Sequence, residues 1–169
     1  MKKYILTLAF AIFAFALQAQ EGIKLGLQGG LPLDEFNDTV GVVLGVDAGY
    51  MWALGEVVDL GVMTGFINGF PEKYNTKQVV NTNPNVQFVP VAASVRVWLS
   101  NSFSFGVDGG KAFGINKGND GGIYYRPVMG YLLGPNTELN VSYTGVKLDN
   151  VTWTTATIGV VYTINMRKL

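Results

Sequence analysis

From Gly22 onward the chain alternates between apolar residues and small or polar ones with a period of two, in segments of about ten residues. Successive side chains of a strand point to opposite faces, so each segment carries one apolar face and one small-polar face. Ile23, Leu25 and Leu27 alternate with Lys24, Gly26 and Gln28, and Val42 to Trp52 alternates with Gly45, Asp47 and Gly49. Leu60, Val62 and Phe66 oppose Asp59, Gly61 and Gly65, while Val89, Val91, Ala93, Val95, Val97 and Leu99 oppose Ala92, Ser94 and Arg96. Phe103, Phe105 and Val107 alternate with Ser104, Gly106 and Asp108, and two less regular segments lie near residues 123–133 and 138–147. A last segment sets Ile158, Val160, Tyr162 and Ile164 against Thr155, Thr157 and Gly159. The pattern predicts eight strands and no helix after residue 21.

The links between these segments fall into two classes. The second, fourth and sixth are tight, at Leu54-Gly55-Glu56, Ser100-Asn101-Ser102 and Gly134-Pro135-Asn136-Thr137. The first, third and fifth are longer and polar, from Leu31 to Val40, Asn68 to Asn85 and Asn116 to Gly122, and the seventh, Lys147 to Asn150, is short. Tight turns at one end and longer loops at the other are the layout of an outer-membrane barrel. An even number of strands then puts both termini at the short-turn, periplasmic end.

Alternation alone does not say which face is inside. Charged residues make up 14% of the chain, against about 25% in ordinary soluble domains. The 22 glycines and 12% aromatics leave too few solvated groups to cover the outside of a soluble barrel. Small residues suit the narrow lumen of eight strands, and large apolar ones suit lipid. In hydrocarbon every backbone group must be paired, so the sheet must close on itself. The expectation is an all-β, eight-stranded antiparallel up-and-down transmembrane β-barrel over residues 20–169, surrounded by outer-membrane lipid.

The start of the chain supplies the route. Lys2 and Lys3 precede the uncharged run Tyr4 to Leu17, followed by Ala19. That run is short of the roughly 20 residues of a spanning helix and has the parts of a secretory signal peptide, with cleavage expected after Ala19. On this expectation residues 1–19 lie outside the fold.

Aromatics at strand ends predict a girdle. Trp52, Trp98, Tyr131 and Tyr162 fall near the periplasmic rim, where amphipathic rings favour the membrane interface. Phe66, Phe70, Tyr124 and Tyr125 fall near the other rim.

Together these features resemble the small outer-membrane β-barrels of the OmpA/OmpX type, the outer membrane protein beta-barrel domain group, over roughly residues 22–166. The segments that carry the resemblance are TIGVVYTI, from Thr157 to Ile164, and GVDGGKAFGINKGNDGGIYYRPVMGY, from Gly106 to Tyr131. Thr157, Gly159, Tyr162 and Ile164 look like the closing-strand signal read by the barrel assembly machinery. Many such chains finish on an aromatic residue, whereas Met166-Arg167-Lys168-Leu169 follows here. The resemblance implies outer-membrane localisation, periplasmic chaperones and the assembly machinery as partners, and a monomer.

The chemistry available is limited. The chain has no histidine and no cysteine, so neither a Ser–His nucleophilic site nor thiol chemistry can be assembled. Soft metal ligands are missing and no polybasic patch suits nucleic acid; no catalytic residue, metal or cofactor is assigned. What remains are charges on the small-polar face: Asp47, Asp59, Arg96, Asp108 and Arg126. Buried without partners they would be costly, so they are expected to form a lumen ion-pair ladder, serving as a plug or lining a narrow ion or small-solute path. The 68–85 loop, with Phe70, Pro71, Lys73, Tyr74 and Lys77, is the candidate for an adhesin-like surface role.

Overall fold

In a computed structural model, residues 21–36, 38–71, 85–149 and 151–166 are described. Residues 1–19, the segment expected to be a signal peptide, and most of the 68–85 loop lie outside them. The strands are β1 (Gly22–Leu33), β2 (Val40–Ala53), β3 (Val58–Pro71), β4 (Val86–Trp98), β5 (Phe103–Gly114), β6 (Gly122–Leu132), β7 (Thr137–Lys147) and β8 (Thr152–Asn165). Each pairs antiparallel with its neighbour in sequence, and β8 closes on β1 to make a barrel. The closing seam runs unbroken from Gly22↔Asn165 to Leu33↔Thr154, so neither of these strands has a free edge.

The strands outrun the alternating segments at the long-loop end. β1 continues to Leu33, where Asp34, at φ 54°, starts the short 3₁₀ turn Asp34–Phe36. β3 continues through Asn68, Gly69 and Phe70 to Pro71. Near its start β2 shifts register between Val40 and Val42, a bulge that lets both Val40 and Val43 point inward. Two prolines interrupt a ladder without ending the strand. Register pairing skips between Thr64↔Val91 and Ile67↔Phe88 beside Pro90, and between Tyr125↔Gly145 and Val128↔Ser142 beside Pro127, because proline has no N–H to donate. The Thr64 hydroxyl instead donates to the Pro90 carbonyl, at 2.8 Å.

The alternation resolves into an apolar outside and a filled inside. Leu27, Leu44, Val62, Val91, Ile123, Met129, Val141 and Ile158 all point outward, with Leu27 69% exposed. So extensive an apolar outer wall belongs in lipid rather than water. Inside, the long-loop half is an apolar core of Val40, Val43, Met63, Ile67, Phe88, Ala92, Ala112, Tyr124, Val146 and Trp153, against which Phe36, Val86 and Leu148 pack. The sequence reading expected small and polar residues on the whole inner face. The upper half departs from this because a lumen this narrow is filled by side chains, and there the fillers are large and apolar.

Two of the expected girdle aromatics face the other way. Trp98 lies at the short-turn rim but points into the barrel, because it shares the parity of Arg96, two residues earlier. Tyr124, 1% exposed, belongs to the upper core for the same reason, two residues from Arg126. Trp52, Tyr131 and Tyr162, at 46%, 53% and 51% exposure, point outward near the short-turn end.

Candidate functional site: the lumen polar network

Below the apolar core, polar side chains from seven strands join in one chain of hydrogen bonds. Arg126 on β6 is its centre. Its Nε donates to Asp108 Oδ2 on β5 at 2.8 Å, and its Nη1 donates to Asp47 Oδ2 on β2 at 2.8 Å. The first bond joins residues directly opposite in register; the second crosses the lumen. Asp108 is fully buried and its Oδ1 takes up Arg96 Nη1 at 3.0 Å and Ser94 Oγ at 2.6 Å, both from β4. Arg96 Nη1 also donates to Ser94 Oγ and the Val95 carbonyl. The buried carboxylate is thereby met by two guanidinium groups and a hydroxyl, the kind of compensation a desolvated charge requires.

On the other side of Arg126 the chain becomes neutral. Asp47 Oδ1 accepts from Gln28 Nε2 on β1 at 3.0 Å, and Gln28 Oε1 accepts from Thr157 Oγ1 on β8 at 3.0 Å. Ser142 on β7 and Thr157 share a hydrogen bond of 2.7 Å. Since the Thr157 proton is used toward Gln28, Ser142 must be the donor. Among the described residues, β3 contributes no side chain to this chain of hydrogen bonds.

A second cluster lies nearer the short turns. Lys24 Nζ is 3.3 Å from Glu138 Oε2 and 5.8 Å from the centroid of the Trp98 ring, a cation–π position. Trp98 Nε1 donates to Asp59 Oδ2 at 2.7 Å. Asp59 is therefore apart from the expected ladder. It stands opposite Arg96 in register, but that guanidinium turns to Asp108, and Asp59 Oδ1 has no hydrogen-bond partner among the described residues.

Glycines make room for these groups. A Cβ at Gly106 would meet the Arg96 side chain, and one at Gly130 would meet the Glu138 carboxylate. Gly159 faces Asn140 Oδ1, at 2.8 Å from where a Cβ would lie, and Gln28. Between the two clusters remains a cavity of ≈ 40 Å³ bordered by Lys24, Asp47, Arg96, Arg126 and Glu138, room for about one water molecule.

Of the residues singled out in the sequence, Asp47, Arg96, Asp108 and Arg126 come together in the network. Thr157 joins them from the lumen face of β8, and Gly159 shares that face. Tyr162 and Ile164 point outward at 51% and 37% exposure. Sequence reasoning overlooked Lys24, Glu138, Gln28 and Ser142. Lys24 and Gln28 carried a signal, since both sit on the polar side of the first alternating segment. Among the described residues no group of His, Cys, Asp or Glu is placed to hold a metal ion.

A closed antiparallel barrel of eight strands, apolar without and filled within by a polar network below an apolar core, defines the class of small transmembrane barrels of bacterial outer membranes. The chain matches the outer membrane protein beta-barrel domain over residues 5–163 and belongs to that family. Its place is the bacterial outer membrane, which it crosses with strands. Solved structures of similar fold include the Yersinia pestis outer membrane protein Ail in a phospholipid bilayer nanodisc (16% identity, TM-score 0.57, covering 85% of this chain and 100% of that one). A crystal structure of Ail, the attachment invasion locus protein of Yersinia pestis, gives 15% identity and a TM-score of 0.56 over 85% and 97% of the two chains. A de novo designed transmembrane β-barrel gives 18% and 0.55 over 87% and 98%. No curated protein matches the chain.

Proposed function

We propose that this protein is a sealed outer-membrane barrel with a structural or surface-interaction role, without catalysis and without conduction. The observation that carries the reading is the filling of the lumen along its height. An ion entering from the short-turn side meets Lys24–Glu138, then the Arg96–Asp108–Arg126–Asp47 ion pairs, then an apolar layer built on Phe88, Tyr124 and Trp153. Passing would require breaking compensated charges and then shedding water against hydrocarbon. With the interior occupied, the loops are left as the working surface. The 68–85 loop is the longest of them, and the name of Ail, an attachment and invasion protein, makes attachment the first role to test for it.

Delivery completes the reading. Residues 1–19 direct export and are removed after Ala19; periplasmic chaperones hand the mature monomer to the barrel assembly machinery, which reads Thr157, Gly159, Tyr162 and Ile164. Planar-bilayer recording on the purified folded protein tests the sealed lumen. No conductance steps are expected from the unmodified protein or from Arg96→Ala. Regular steps from the unmodified protein would replace the sealed barrel with a narrow pore.

A further inference from the structure

The outer wall carries two lysines that the sealed lumen does not explain. Lys111 on β5 pairs in register with Ile123 on β6, and Ile123 pairs with Lys147 on β7. The three therefore form one row across adjacent strands, all outward and exposed. Strands lie about 4.8 Å apart, so the two lysine backbones are roughly 10 Å apart, with the flat apolar Ile123 between them. Among the described residues the ion pairs use Lys24, Arg96 and Arg126. Neither Lys111 nor Lys147 takes part in one, although Asp120 and Asp149 stand in the neighbouring loops.

The height of the row is marked independently. Lys147 is the last residue of β7 and Ile123 the second of β6, so the row lies at the long-loop rim, which the layout puts on the outer-leaflet side. Just beneath it Tyr125 faces the lipid, its ring 6.3 Å from that of Tyr143 and lying over Gly145; such rings settle at headgroup level. Lys111 Nζ is 5.2 Å from the centroid of Phe113, two residues nearer the loops. Its ammonium is thus lifted away from the hydrocarbon, as a long cationic side chain does when its stem lies on apolar surface.

We infer that Lys111 and Lys147 form a clamp on the outer wall for the phosphate group of an outer-leaflet lipid. Two ammonium groups with no ion-pair partner among the described residues, flanking one apolar residue at headgroup height, are complementary to a phosphate held there by its own acyl chains. Lysine binds phosphate as a point charge and needs no fixed fork. Below Lys111 the wall is low, because Ala93 pairs with Gly109 there and a Cβ on Gly109 would meet nothing within 4 Å; an acyl chain can lie against it.

The test uses the folded mature protein titrated with phosphatidic acid in phosphatidylcholine-containing micelles, bound lipid being counted by native mass spectrometry. A surface lysine contributes on the order of fivefold to anionic-lipid binding, so Lys111→Gln/Lys147→Gln should bind roughly 30-fold more weakly. Lys111→Arg/Lys147→Arg should retain binding, and unchanged heat-modifiable gel mobility shows that both variants fold. Excess inorganic phosphate should leave the lipid bound. Equal affinity of the Gln variant and the unmodified protein would overturn the clamp; displacement by inorganic phosphate alone would overturn its assignment to a lipid.

Discussion

Arg126→Met should lower the unfolding free energy of the vesicle-embedded barrel by roughly 3–5 kcal/mol, the cost of breaking a buried ion pair from one side. The substitution keeps an unbranched stem of similar bulk, so the effect comes from what is left behind. Asp108, fully buried, would keep Arg96 and Ser94, but Asp47 would keep only Gln28. Both carboxylates would then face a lumen with one guanidinium fewer. Adding Asp47→Asn to Arg126→Met should recover part of the loss, since it removes the carboxylate stranded with a single neutral donor. Urea titration followed by gel mobility measures both. A loss below about 1 kcal/mol for Arg126→Met, the range of an exposed pair, would mean that water reaches these charges and the lumen is open.

Trp153→Ala should cost a comparable amount, roughly 3–5 kcal/mol, for a different reason. Trp153 is completely buried, and its ring centroid lies 4.9 Å from that of Phe36 and 5.7 Å from that of Phe88. Gly69 packs so closely beneath it that a Cβ would strike the indole. Removing the ring leaves a cavity that cannot collapse, because the strands around it are held in a closed ladder. Trp52→Ala is the contrasting case. That ring is 46% exposed on the outer wall, lipid takes its place, and the loss should be well under half as large. Equal costs at the two positions would remove the apolar upper core from the account.

Much of this architecture is written in the period-two pattern. Alternation and the unequal links were enough to place eight strands, closure of β8 on β1, and the outward face of Ile158, Val160, Tyr162 and Ile164. Parity contains the position of Trp98, which shares the inward face of Arg96, and that parity outweighs the preference of a rim aromatic for the interface. What alternation could not supply was distance across the barrel. The Arg126–Asp47 bond joins residues 79 apart in sequence, and only the tilt and register of a closed sheet bring them together. Lys24 and Glu138, 114 apart, were hidden for the same reason. The apolar upper lumen is not legible in alternation, which marks the inner face but not the bulk that fills it; Val43, Ile67 and Phe88 fill it by size.

The arrangement is tested most directly by its three tryptophans, one outward at Trp52 and two inward at Trp98 and Trp153. Single-tryptophan variants, made with Trp→Phe at the other two positions, can be folded into vesicles of brominated lipid and exposed to aqueous acrylamide. Trp52 should be quenched by the brominated chains, Trp98 and Trp153 should not, and Trp153 should also resist acrylamide. Quenching of Trp98 by lipid would invert the barrel's faces, and ready quenching of Trp153 by acrylamide would show an open lumen.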